Sequence, residues 1–255
     1  MLNTDYTGDA VIVRRASDNT TQSIGFIDGE LDTDTLDTFC SGTNGFITTW
    51  FDQSGNGNNV TQTTASAQPK IYDNSTGVIL DNGQAALEFN GTSNELVNTY
   101  LTGSTLSIVS IASSNNSSSE QNIYNITTLE GGSDSIVSLG YNRNASNQIG
   151  STLREQGTST LYQSGENLTD LSQKLFIHIG SVLGGAAFNN LYIDTNIGTQ
   201  NIGSRATLEG GITIGSRVGN YFLNGKIQEF VMWESNQNTN RNGIEDNINN
   251  YYSIY

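Results

Sequence analysis

Trp50-Phe51-Asp52-Gln53-Ser54-Gly55-Asn56-Gly57-Asn58-Asn59 is the stretch on which the reading of this chain turns. The residues before it, Gly45-Phe46-Ile47-Thr48-Thr49-Trp50, are apolar and β-branched and read as a strand running into a turn. Gly55 and Gly57 allow the backbone a positive φ. Asp52, Asn56 and Asn58 place three side-chain oxygens on one turn. Such oxygens close a turn by accepting from nearby N–H groups. They also suit a hard cation that takes six to eight oxygens. Asp52, Asn56 and Asn58 are therefore the candidate metal ligands, and calcium the candidate cofactor.

Working outward, short apolar runs recur between Gly, Asn, Ser and Thr turns. Upstream lie Ala10-Val11-Ile12-Val13-Arg14-Arg15 and Ile24-Gly25-Phe26-Ile27. One arginine of the pair is expected to meet an acid such as Asp18 or Asp28. Residues 32–41 read as a short helix capped by Asp32 or Asp34, with Leu36, Phe39 and Cys40 on one face. Downstream, Asn82-Gly83 signals a tight hairpin turn. Leu106–Ala112, Ile136–Tyr141, Phe176–Val182 and Ile227–Glu234 read as strands. In the last of these, Ile227, Glu229, Val231 and Trp233 are expected to share a face. Residues 239–255 read as a C-terminal helix with an Ile/Tyr stripe. The spacing predicts an all-β fold, a two-sheet antiparallel jelly-roll sandwich with short N-terminal and C-terminal helices. All 255 residues are expected to form one such domain.

Composition narrows the function. Hydrophobic residues are 35% and charged residues 14%, and 25 acidic against 10 basic side chains give a net charge of −15. That surface repels nucleic acid. The single Cys40 excludes an intrachain disulfide, and the absence of clustered His and Cys argues against zinc. The only histidine, His178, lies in an apolar run and reads as a strand residue, not a catalytic base. No apolar run reaches 18 residues, so no membrane-inserted helix is expected. The N-terminus carries no signal-peptide pattern. Trp50 and Trp233 sit in strand patterns and are expected to pack in the core. Tyr141, Tyr162 and Tyr221 are the candidate ligand-binding residues, as aromatic platforms for sugar rings.

Val11-Ile12-Val13-Arg14-Arg15, Asp18-Asn19, Ile24-Gly25-Phe26, Phe39-Cys40, the Asp52-Gln53-Ser54-Gly55 block and Thr61-Gln62 together resemble the N-terminal part of the α-L-arabinofuranosidase B catalytic domain. Leu223-Asn224-Gly225-Lys226-Ile227-Gln228-Glu229 is similar to the end of laminin-G-like, concanavalin A-like jelly rolls. The resemblance implies the two-sheet sandwich. It also implies a retaining hydrolase with two carboxylates, one of them in an Asp-x-Glu-Asn segment on a central strand and the other just after an Ile-Gly-Gly turn. Here Ile136-Val137-Ser138-Leu139-Gly140-Tyr141-Asn142 and Ile214-Gly215-Ser216-Arg217 stand at the matching places without a carboxylate, and the family's adjacent cysteine pair is absent. Glu130, Glu155 and Glu166 are the acids that could substitute, and Glu229 reads as a structural partner for Arg14 or Arg15. The expectation is therefore a non-enzymatic virion or cell-surface adhesion module that binds glycan or host-surface polysaccharide. It would lie outside the cell or on a virion beside other virion proteins, with a homo-oligomer as a candidate assembly. The alternatives are an arabinofuranosidase-like glycoside hydrolase and a purely architectural fibre or capsid-decoration subunit.

Overall fold

A computed structural model describes residues 6–103, 105–127, 135–142, 148–153, 171–181, 188–194, 196–201, 208–217 and 219–255. The all-β jelly-roll expectation holds. The described strands pair antiparallel, and two short helices, α1 (Thr33–Cys40) and α2 (Arg241–Tyr252), accompany them. One sheet runs Thr21–Ile24, Val11–Arg15, Gly45–Trp50, Lys70–Asp73, Leu87–Asn90, Asn224–Trp233, Thr105–Ser114, Lys174–Ser181, Phe188–Ile193, Asn196–Asn201. The other runs Val60–Thr61, Leu96–Gly103, Leu208–Ile214, Gln121–Thr127, Ser135–Tyr141, Gly150–Leu153. Gly45–Trp50 joins the two. Its Gly45 and Phe46 pair with Lys70–Asp73, whereas its Thr49 and Trp50 pair with Val60–Thr61.

Alternation along the strands explains what lies between the sheets. Val13, Ile47, Phe89, Ile108 and Phe176 of the larger sheet meet Leu96, Ile214, Tyr124 and Leu139 of the smaller one. The larger sheet also buries its outer face. Val109, Ile111, Ile177 and Ile179 point there and pack against Ile248 and Tyr252 of α2. A strand covered on both sides reads as a nearly continuous apolar run, which is why Thr105–Ser114 is so distinct in the sequence. Burying each such side chain contributes roughly 1.5–3 kcal/mol. Packing of this kind holds α2, since its N-cap Asn240 makes no side-chain capping bond.

Helix α1 starts where Asp32 Oδ1 accepts from the Thr35 N–H at 2.9 Å. Leu36 and Cys40 are buried on its inner face. Burial pushes the Cys40 thiol up to about 11, as suits a packing residue and not a nucleophile. The Asn82-Gly83 turn forms as expected, with φ of 45° and 81° between Asp81 and Gln84.

The expected face of 227–234 needs one correction. A bulge shifts the pairing from Ile111↔Glu229 to Ala112↔Ile227. Ile227 therefore turns into the layer between the sheets, while Val231 and Trp233 pack on the outer face against the α2 cluster. An extra residue in one strand reverses the alternation beyond it.

Candidate functional site

The Trp50–Asn59 stretch folds as a turn closed by its own backbone. Asp52 Oδ1 accepts from the Ser54 N–H at 2.8 Å and Oδ2 from the Asn58 N–H at 2.9 Å. Asn59 Oδ1 accepts from the Asp52 N–H at 2.8 Å, and Asn98 Nδ2 donates to the Asn59 carbonyl at 2.9 Å, tying the turn to the smaller sheet. Gly55 and Gly57 both have φ near 80°. Burial pushes the Asp52 carboxyl up, but the bonds from Ser54, Asn58 and Gly57 outweigh it and hold the group below its ordinary value. Of the three candidate ligands, Asp52 meets Asn58 through main-chain N–H, and the Asn56 N–H bonds Ser54 Oγ at 3.3 Å. Among the described residues no group of three or more His, Cys, Asp or Glu side chains is placed to hold a metal ion.

The aromatic candidates separate. Tyr141 is corrected from an exposed platform to a core residue. It is fully buried, edge-on to Phe176 with ring centroids 6.0 Å apart. It ends a strand on the same face as Val137 and Leu139, so alternation turns it inward. Tyr162 lies outside the described residues. Tyr221 is exposed, at 44%, and holds a positive φ of 51° that is uncommon for a bulky side chain. The Arg217 guanidinium lies 3.9 Å from its ring centroid. Trp50 and Trp233 pack against the core clusters as expected. His178 is buried in the layer between the sheets, with Nδ1 against the Tyr124 hydroxyl, as a strand residue should be.

Two acids without a motif of their own meet the 214–217 turn. At Gly215, φ is 87°, and a Cβ would stand 2.2 Å from the Phe89 ring, so only glycine fits. The next residue, Ser216, is buried and donates its hydroxyl to Glu95 Oε2. Arg217 pairs with Glu120 at 3.1 Å. Two carboxylates thus reach consecutive residues of this turn, beside the exposed ring of Tyr221. Glu95 comes from the residue before the Leu96–Gly103 strand, and Glu120 from the residue before Gln121–Thr127. Neither has a sequence signal of its own, because the pairing of three strand ends brings them together. Glu130, Glu155 and Glu166 lie outside the described residues. Glu229 accepts from the Tyr252 hydroxyl at 3.0 Å instead of meeting Arg14 or Arg15. Arg14 bonds Gln68 and Asn19, and Arg15 faces Asp18 at 3.8 Å.

A family model described as α-L-arabinofuranosidase B, catalytic, matches residues 1–134. The α-L-arabinofuranosidase B of Emericella nidulans is 40% identical over 84 residues, which are 31% of this chain and 16% of that protein. A crystal structure of an arabinofuranosidase complexed with arabinofuranosyl-α-1,2-xylobiose superposes with a TM-score of 0.69 at 20% identity, over 97% of this chain and 60% of that one. A GH54 α-L-arabinofuranosidase variant soaked with 4-nitrophenyl α-L-arabinofuranoside gives 0.69 at 16% identity, again over 97% and 60%. The chain spans less than two thirds of the length of each of these relatives, and the structural likenesses show the shared fold. These matches overturn the expectation of a non-enzymatic adhesion, virion or decoration module, because the matching family is that of a catalytic domain. That expectation rested on carboxylates missing from two motif positions and on the absent cysteine pair, all of them single positions, whereas the family match extends over residues 1–134. By its sequence over more than half its length, the chain belongs to the α-L-arabinofuranosidase B catalytic-domain family.

Proposed function

We propose that this chain is a glycoside hydrolase domain that removes α-L-arabinofuranosyl groups from neutral glycans. The observation that carries the reading is the arrival of Glu95 and Glu120 at Ser216 and Arg217, next to an exposed aromatic ring. Glycoside hydrolysis needs two carboxyl groups flanking the scissile bond. Glu120, ion-paired with Arg217, suits the anionic role of nucleophile or base. Glu95, whose Oε2 accepts from the Ser216 hydroxyl, supplies the second carboxyl group of the pair. Tyr221 offers a ring for the apolar side of a sugar, with Arg217 fixing its orientation.

The test is release of 4-nitrophenol from 4-nitrophenyl α-L-arabinofuranoside. Glu95→Gln and Glu120→Gln should each lower kcat by roughly 10²–10⁴-fold, the usual contribution of such a group, while the melting temperature stays near that of the wild type. Proton NMR of the released sugar reports retention or inversion and so the spacing of the working pair. Full activity in both variants, with loss on changing Glu130, Glu155 or Glu166, would move the site. No turnover by the wild type would refute the hydrolase reading.

A further inference from the structure

The C-terminal end of helix α2 is tied to the tip of a hairpin by one side-chain amide. Leu80–Asp81 and Gln84–Ala85 form this two-stranded hairpin apart from both sheets, with Asn82-Gly83 at its tip. Asn82 Nδ2 donates to the Tyr252 carbonyl at 2.9 Å, to Gln173 Oε1 at 3.1 Å and to the Ser253 carbonyl at 3.4 Å. Two of these partners are main-chain oxygens, so only the nitrogen side of the amide fits against them. The body of the hairpin is held separately, by Gln228 Nε2 at the Asp81 and Gln84 carbonyls, 2.9 and 3.1 Å away. An asparagine followed by glycine is chemically labile, because no Cβ obstructs the approach of the next main-chain nitrogen to the amide carbon. The chain has six such pairs. Four are shielded: Gly45 and Gly225 are buried in strands, the Gly91 N–H is bonded to the Leu223 carbonyl, and Asn242-Gly243 lies within α2. Asn56-Gly57 and Asn82-Gly83 stand in exposed turns, and only the amide of Asn82 bonds to α2.

We infer that Asn82-Gly83 is a site of spontaneous deamidation whose conversion releases the C-terminal end of α2. The Gly83 main-chain nitrogen attacks Asn82 Cγ and closes a cyclic succinimide. The bond from Cγ to Nδ2 breaks, and Nδ2 leaves as ammonia with the Gly83 proton. Water then opens the ring at either carbonyl and gives aspartate or isoaspartate. Either product lacks the N–H groups that the tie needs. Its carboxylate faces the Tyr252 and Ser253 carbonyls, acceptor against acceptor, where the amide had donated. Isoaspartate also lengthens the main chain within the two-residue turn that pairs Asp81 with Gln84. While the tie is closed, its bonds hold Nδ2 in place and slow the attack. Each opening frees the amide, and reaction makes the opening permanent. The site is thus a one-way latch on the helix that covers the outer face of the larger sheet.

The test is ageing of the purified chain at mildly alkaline pH, with peptide mapping by mass spectrometry and hydrogen exchange of residues 249–255 on the same samples. Acid should accumulate at Asn82 with time. Exchange in 249–255 should quicken by roughly three- to tenfold in the converted fraction, the worth of one hydrogen bond. Freshly made Asn82→Asp should show the same faster exchange and melt roughly 2–8 °C below the wild type. Asn56→Asp, which changes the other exposed turn, should leave exchange in 249–255 as it is. If Asn82→Asp does not fold, the aged wild type, which starts folded, decides alone. An Asn82 that is still an amide when a free peptide of residues 79–86 has converted completely overturns the site. Conversion at Asn82 without faster exchange in 249–255 overturns the latch.

Discussion

Replacing Asp52 by alanine tests what closes the turn at Trp50–Asn59. The carboxylate accepts two main-chain bonds, from Ser54 at 2.8 Å and Asn58 at 2.9 Å. A hydrogen bond to a charged group contributes about 1.5–3 kcal/mol when buried. Asp52 is only partly buried, so solvent screens both bonds, and the pair together is worth about 1–3 kcal/mol. For a chain of this size each kcal/mol shifts the melting temperature by about 2–4 °C, which gives a fall of roughly 2–12 °C. Asp52→Asn keeps one acceptor and should lose less. The folded carboxyl lies below its ordinary value. Its contribution is therefore complete above the unfolded value and disappears as pH falls through the folded one, so the gap between wild type and Asp52→Ala should close in acid. Scanning calorimetry from pH 7 to pH 3, with EDTA and with millimolar calcium, measures all of this. Both oxygens are already engaged by N–H groups, so calcium should leave both melting curves in place. A wild type that gains stability with calcium while Asp52→Ala does not would refute the account and make the turn a cation site.

Two further outcomes are expected. Burial raises the Glu229 carboxyl above its ordinary 4.5, against the opposing bond from Tyr252. Its contribution is then complete below the unfolded value and is lost as pH rises through the folded one, so Glu229→Gln should be more stable than wild type at neutral pH and equal to it in acid. Urea melts across that range decide, and a less stable Glu229→Gln at pH 7 would show that the charged form is the one α2 prefers. Gly215→Ala combines a left-handed backbone with a Cβ 2.2 Å from the Phe89 ring. It should cost about 2–5 kcal/mol by equilibrium unfolding, and a loss under 1 kcal/mol would mean that the turn yields easily.

The sequence made some features legible because their causes are local. Gly45–Trp50, the Asp32 cap with its Leu36 and Cys40 face, and the Asn82-Gly83 turn each depend on residues within one element. Features that depend on pairing were hidden. Alternation alone puts Ile227 on the face of Val231 and Trp233, and the bulge opposite Ile111 and Ala112 that reverses it depends on the partner strand. Tyr141 reads as a sugar platform at the end of its strand, and only the pairing of Ser135–Tyr141 within the smaller sheet shows that its face is the inner one. The meeting of Glu95 and Glu120 at the 214–217 turn joins residues about a hundred positions apart, and no local pattern records such a distance.

The position of Asn224–Trp233 has a consequence for synthesis. This strand lies between Leu87–Asn90 and Thr105–Ser114, the two neighbours it joins in the larger sheet. Both neighbours leave the ribosome more than a hundred residues earlier. At about 5–20 residues per second they wait on the order of ten seconds with facing edges unpaired. The family-matched half of the chain thus holds a gap that only the far end fills, and folding cannot proceed from the N-terminus as the chain emerges. Products that stop short of Trp233 carry two open strand edges and should be found with chaperones or in aggregates.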